Sequence, residues 1–90
     1  MIQGQYLVRS NTPLTKSMMQ LSLEGDTSAI KAPGQFVNIK LDGFYLRRPL
    51  SICDWNENRI TLLYKIVGDG TRALSRMVPG QSLDVLCGLG

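Results

Sequence analysis

Residues 47–52 read Arg47-Arg48-Pro49-Leu50-Ser51-Ile52, in the middle of a chain that otherwise alternates like β-strands. Proline has no backbone N–H to give a ladder, so within sheets it belongs to edges and bulges. Adjacent cations protect a strand against pairing with a foreign edge. On those grounds alone the stretch is a charged, proline-marked edge strand. The same features also suit a ligand. A gap in the ladder at Pro49 would let a small molecule lie along the strand, Arg48 offers a two-pronged fork for phosphate, and Ser51 offers a hydroxyl. Strand alternation places Arg48, Leu50 and Ile52 on one face and Ser51 on the other, with Pro49 expected to distort the alternation.

Outward from this stretch, short strands dominate. The candidates are 5–10, 18–23, 36–41, 47–53, 59–67 and 82–87, several with apolar residues at every second position, such as Met19, Leu21 and Leu23 or Val37, Ile39 and Leu41. Asp54-Trp55-Asn56-Glu57-Asn58 has the composition of a hairpin loop. Pro33-Gly34-Gln35 and Pro79-Gly80-Gln81 each precede a strand, and Pro-Gly fits the central positions of a type II turn. The single helix candidate is 71–78, with Leu74, Met77 and Val78 on one face and Thr71 as its N-cap. The expected fold is therefore mainly β: a six-stranded antiparallel Greek-key barrel with one short helix over an opening.

Composition excludes several function classes. Ninety residues make one domain at most. The chain has no histidine, which removes the commonest general base and any Ser–His or Cys–His nucleophile. Two cysteines, Cys53 and Cys87, are too few for a zinc site or an iron–sulfur cluster and are expected as small buried core residues. The net charge of +3 is spread, with only Arg47 and Arg48 adjacent, so no nucleic-acid stripe is present. No apolar run is long enough for a bilayer, and Met1-Ile2-Gln3-Gly4-Gln5 lacks the layout of a signal peptide. No membrane or nucleic-acid partner is expected, and a cytoplasmic location is. If the domain takes part in chemistry, a bound cofactor supplies it.

A second constellation lies about twenty residues on. Lys65-Ile66-Val67-Gly68-Asp69-Gly70-Thr71 joins the fifth strand to the helix, and the glycines let the backbone approach a ligand at a helix start that favours phosphate. A plain glycine turn before a capped helix accounts for it equally well. Gly68, Gly70 and Ala73 also match the spacing of a dinucleotide fingerprint, but that unit needs a second parallel strand ending in an acidic residue. Here the helix is short and a single strand follows, so the Rossmann interpretation fails.

Taken together these motifs resemble a family. Arg48-Pro49-Leu50-Ser51 is similar to the flavin-binding motif of the ferredoxin reductase family, and Gly68-Asp69-Gly70-Thr71 to its pyrophosphate-binding motif. The wider set, Pro33-Gly34-Gln35-Phe36-Val37, Leu46 to Ile52, Leu63-Tyr64-Lys65, Gly68 to Thr71 and Pro79-Gly80-Gln81 with Gly88-Leu89-Gly90, resembles most closely the electron-transfer subunits of bacterial dihydroorotate dehydrogenases. The resemblance covers nearly the whole chain.

What it implies is specific. Residues 1–90 would be an FAD-binding barrel domain, a fragment lacking nicotinamide-binding and iron–sulfur regions. Arg48 would pair with the FAD diphosphate, Pro49 and Leu50 would line the isoalloxazine and ribityl, and Ser51 would hydrogen-bond near N5 and O4. Leu63, Tyr64 and Lys65 would border the flavin, and Gly70 and Thr71 would donate to phosphate. Leu50 stands where many relatives place a stacking tyrosine, so flavin retention would be weaker or would be borne by Tyr64. No residue of the chain is expected to be catalytic by itself, and none to bind metal. A 2Fe-2S cluster and NAD are expected only in the full-length protein, as part of a flavin-dependent oxidoreductase in pyrimidine biosynthesis. The implied partner is a dihydroorotate dehydrogenase catalytic subunit, in a heterotetramer. The competing possibilities are the flavin domain of another NAD(P)H–ferredoxin oxidoreductase, a non-enzymatic barrel that binds a protein or oligonucleotide, and a structural assembly module. An oligonucleotide-binding face would interleave aromatics with basic residues, which these few aromatics do not do.

Overall fold

The computed structural model describes residues 2–32, 34–41, 43 and 47–89. Six segments of alternating character form strands β1 (Ile2–Pro13), β2 (Met18–Glu24), β3 (Phe36–Lys40), β4 (Arg48–Trp55), β5 (Arg59–Lys65) and β6 (Ser82–Leu89). They close into an antiparallel barrel in the order β1-β2-β5-β4-β3-β6, and one helix, α1 (Asp69–Ser75), joins β5 to β6. The expected architecture is the observed one. Val8, Leu21, Leu23, Val37, Ile39, Ile60, Leu62 and Val85 are fully buried, and Leu50 and Ile52 of β4 are buried with them, so the inward positions of every strand fill the barrel.

Strand lengths differ from expectation where pairing, rather than local sequence, decides them. β1 runs well beyond residues 5–10 because it serves two neighbours. Its first half pairs with β6, from Ile2 opposite Cys87 to Leu7 opposite Ser82, and its second half with β2, as far as Pro13 opposite Met19. A register shift between Val8 and Ser10 lets one strand turn between the two ladders. β4 runs on through Asp54 to Trp55, which narrows the expected hairpin loop. There Asn56 Oδ1 accepts hydrogen bonds from the Asn58 and Arg59 N–H groups at 3.1 and 2.9 Å.

Cys53 is a correction: it is exposed, and only Cys87 is buried. Leu50 and Ile52 point inward, so plain strand alternation already turns Cys53 outward with Ser51, and the register shift between Ile52 and Asp54 leaves it without a partner on β5. The helix is a second correction. It starts at Asp69 and ends at Ser75, with Gly68 as N-cap and Arg76 as C-cap, so Thr71 occupies the third helical position. Val78 lies beyond the helix and is 54% exposed. It belongs instead to the turn before β6, where Gln81 N–H donates to Val78 O at 3.2 Å and Gly80 adopts φ 97. That glycine conformation agrees with the type II turn at Pro79-Gly80. Gly34 has φ 86, while Pro33, the other half of the first Pro-Gly pair, lies outside the described residues, as does Leu46. Among the described residues no helix is long and apolar enough to cross a membrane.

One end of the barrel is plugged by Tyr6, whose hydroxyl donates to Asp26 O and accepts from Cys87 Sγ. Burial, with the neighbouring thiol next, pushes the Tyr6 hydroxyl pKa well up, so it remains a neutral donor. Gly25 lies flat against this ring: a Cβ there would stand 2.4 Å from Tyr6 Cδ2. Gly25→Ala is expected to lower stability by about 1–3 kcal/mol through overpacking, measured as a fall in the urea midpoint at unchanged slope. Gly34→Ala should show no comparable packing loss, because nothing lies within 4 Å of its added Cβ, and its cost would come from φ 86 alone.

Candidate functional site

The barrel is not sealed all the way round. β4 pairs with β3 along Arg48–Ser51, without a register shift, but its ladder with β5 begins only at Ile52 opposite Leu62. β5 continues to Lys65 with its other edge paired to β2. A seam is therefore left between the first half of β4 and the last residues of β5. Pro49 accounts for it. Ile52 N–H donates to Gln35 O at 2.8 Å, on the β3 side. Backbone groups alternate between edges, so the nitrogen of Pro49 and the N–H and C=O of Ser51 face the seam. Proline stands where no ladder partner is needed, and the expected distortion of β4 does not occur.

A hollow of about 360 Å³ lies along this seam, lined by Arg48, Pro49, Leu50, Ser51, Leu63, Tyr64, Lys65, Val67 and Thr71. Its volume is within the range of small-molecule sites. Eight of the nine residues singled out from the sequence are in that lining, and the ninth, Gly70, lies directly beneath Arg48. A Cβ on Gly70 would stand 2.7 Å from Arg48 Nε. Arg48 shares the inward face of Leu50 and Ile52, but at the barrel's end it reaches out over the start of α1. Among the described residues it makes no ion pair, whereas Arg9, Arg47, Arg59 and Arg72 all do. Val67, 68% exposed, is a lining residue that sequence reasoning missed; its only signal was its place in the Lys65–Thr71 segment.

The loop from β5 to α1 is held from inside. Thr71 Oγ1 accepts from the Val67 and Gly68 N–H groups at 2.8 and 3.2 Å. The hydroxyl is thus spent on fixing the loop, and what Thr71 can offer a ligand is its backbone N–H. That N–H and the one of Gly70 precede the first intrahelical donor, Arg72, which bonds to Gly68 O at 2.9 Å. Arg72 is an exposed helix residue paired with Asp69 at 3.6 Å.

Tyr64 is buried, and its hydroxyl donates to Asn11 Oδ1 at 2.8 Å. Burial raises its pKa to about 12, with the Asn11 bond acting the other way. Nothing in the sequence marked Asn11, which looked like the end of a strand.

Arg47, the other of the two adjacent cations, is a structural group. Its guanidinium pairs with Asp84 Oδ1 at 2.9 Å and ties the start of β4 across β3 to β6. The adjacent arginines are thus divided, one paired and one free among the described residues. A second hollow of about 340 Å³, between α1 and the β3–β6 pair, includes Asp84, Lys40 and Met77 but none of the residues singled out from sequence.

With this geometry in hand, the comparisons are consistent with one another. No family model matches the chain. The structure of an NADH-dependent reduced ferredoxin-NADP oxidoreductase superposes with TM-score 0.84 at 27% identity, over 94% of this chain and 32% of that one. The flavohemoglobin of Malassezia yamatoensis, solved with bound FAD and heme, shares the fold at TM-score 0.76 and 16% identity, over 100% of this chain and 26% of that one. The barrel is of the ferredoxin reductase type.

Within that class the sequence relatives are particular. The chain is 42% identical, over its whole length, to the dihydroorotate dehydrogenase B (NAD(+)) electron transfer subunit of a Geobacillus strain, covering 37% of that protein. It is 38% identical to the same subunit of Listeria monocytogenes, again over its whole length and 37% of the relative. The chain is thus similar over its whole length to dihydroorotate dehydrogenase B electron transfer subunits and spans little more than a third of theirs.

Asp84 yields a pH prediction. The hydrogen bond from Arg47, its largest influence, holds its carboxyl below the ordinary carboxylate range. A depressed folded-state value means that stabilisation is present above the unfolded value, about 3.9, and fades as pH falls through the folded one. For a partly exposed pair the gain is at most about 1 kcal/mol. Asp84→Asn should therefore melt up to about 4–8 °C lower than wild type at pH 7. The two melting curves should converge in acid.

Proposed function

We propose that residues 1–90 form an FAD-binding domain of an electron-transfer flavoprotein subunit, with the seam between β4 and β5 as the flavin site. The observation that carries this is Arg48, a cation without a counter-ion among the described residues, held over a glycine that leaves it room. Arg48 would pair with the diphosphate, and the backbone N–H groups of Gly70 and Thr71 would add donors beside it. Pro49 and Leu50 would line the ring system and ribityl, Ser51 would hydrogen-bond near N5 and O4, and Leu63, Tyr64 and Lys65 would form the opposite wall. When bound, FAD would supply the redox chemistry of such proteins, linking the two-electron chemistry of a nicotinamide to the one-electron chemistry of an iron–sulfur cluster. The chain's own part is to hold the cofactor, orient it and keep water from one of its faces.

The relatives' names support a fuller assignment, electron transfer between a dihydroorotate dehydrogenase catalytic subunit and NAD. A heterotetrameric assembly and a place in pyrimidine biosynthesis are what the resemblance adds to it. In that assignment the nicotinamide-binding and 2Fe-2S regions belong to the rest of the length that such subunits have. The flavin domain of another NAD(P)H–ferredoxin oxidoreductase would use the same seam. Whole-length identities of 42% and 38% to dihydroorotate dehydrogenase B subunits favour the first assignment.

Titration of the apoprotein, followed by flavin fluorescence quenching, tests the site. FAD should bind, and Arg48→Ala should weaken it by roughly 10- to 100-fold, the loss of about 1.5–3 kcal/mol expected for a hydrogen bond to a charged group. Riboflavin, which has no phosphate, should be insensitive to the same substitution. Absence of FAD binding by the wild-type chain, or equal FAD affinity in Arg48→Ala, overturns the assignment.

Gly70→Ala provides a second test. Its Cβ would occupy the space beside Arg48 Nε, 2.7 Å away, and displace the guanidinium. FAD affinity should fall several-fold while the melting temperature changes little, because the exposed arginine can move aside.

A further inference from the structure

The side chain of Asn11 makes three hydrogen bonds, to β5, to α1 and to the turn just after α1. Its Oδ1 accepts from the Tyr64 hydroxyl at 2.8 Å, and its Nδ2 donates to Leu74 O at 2.8 Å and Met77 O at 3.0 Å. Asn11 itself is fixed in β1, opposite Leu21 of β2. It therefore connects a strand of the barrel wall to Tyr64, which lines the hollow, and to the C-terminal end of α1, whose first turn supplies Thr71 to the same lining. The start of α1 bears Gly70 and Thr71.

α1 cannot fix its own position. It has seven residues, well short of the length at which an isolated helix is stable. Its last carbonyls need partners, and Asn11 supplies donors to one within the helix and one just beyond it. Leu74, fully buried, is its apolar anchor. The orientation of the amide follows from its surroundings: two carbonyls require the NH₂, which leaves the oxygen for the hydroxyl.

We infer that Asn11 is a positioning residue for the cofactor groove, setting Tyr64 on β5 and the start of α1 at a fixed separation although it does not line the hollow itself. The inference rests on the flavin assignment and adds to it a residue outside the binding motifs. Asn11→Ala removes both connections, and Asn11→Asp keeps the shape but sets a carboxylate against two carbonyls. Tyr64→Phe removes only the hydroxyl and keeps the ring.

The experiment compares FAD titrations of wild type, Asn11→Ala, Asn11→Asp and Tyr64→Phe, at a temperature where circular dichroism finds each at least nine-tenths folded. Amide hydrogen exchange across residues 68–71 is followed in parallel. Asn11→Ala and Asn11→Asp should bind FAD at least tenfold more weakly and exchange faster at 68–71, with a changed flavin absorption band. Tyr64→Phe should lose two- to fivefold. A residue that only added stability would lower the melting temperature and leave the affinity of folded protein untouched. Affinity within twofold of wild type in every variant that folds overturns the inference, while the flavin assignment stands. If neither Asn11 variant folds, Tyr64→Phe decides by the same criterion. No FAD binding by wild type overturns the assignment and the inference together.

Discussion

Closing a sheet into a barrel pairs successive strands edge to edge, and between β4 and β5 that pairing is only partial. The ladder between β4 and β5 stops at Ile52 and Leu62, and the rest of the site follows from that stop. Full pairing would leave no space between Ser51 and Leu63 and would bury the backbone groups that face the seam. Pro49 makes the opening permanent at little cost, because its nitrogen points to the side where a hydrogen-bond donor is not needed.

An open seam exposes backbone and needs rigid borders. On the β4 side the register with β3 is uninterrupted, and the Arg47–Asp84 pair fastens the strand's start to β6. On the β5 side, pairing with β2 extends to Lys65, and Ile66 N–H then bonds to Ser17 O at 2.7 Å. The loop that follows folds around Thr71 Oγ1, and Asn11 holds the far end of α1. Charge is distributed with the same economy. Of two adjacent arginines, Arg47 is paired with Asp84, and Arg48, without an ion pair among the described residues, lies at the mouth of the hollow.

Much of this was legible in the sequence because alternation and turn chemistry are local. Val37, Ile39 and Leu41 announce a half-buried strand, and Pro79-Gly80 a tight turn, whatever surrounds them. The motif around Pro49 and the Gly68–Thr71 turn were legible for a similar reason: glycine, proline and arginine have few substitutes where backbone must turn or phosphate must be met. Cys53 was misjudged as a core residue because thiols are so often buried, although alternation sets it on the outward face with Ser51. Asn11 passed unnoticed because its partners lie 53 to 66 positions away.

The sequence by itself therefore determined the strands, the turns and the residue types that suit a nucleotide-like cofactor, since each depends on backbone preferences a few residues long. The tertiary structure alone decided which strand edges stay unpaired, which arginine is neutralised and what holds the helix. Those outcomes depend on distances between segments far apart in the chain, and no local preference specifies them.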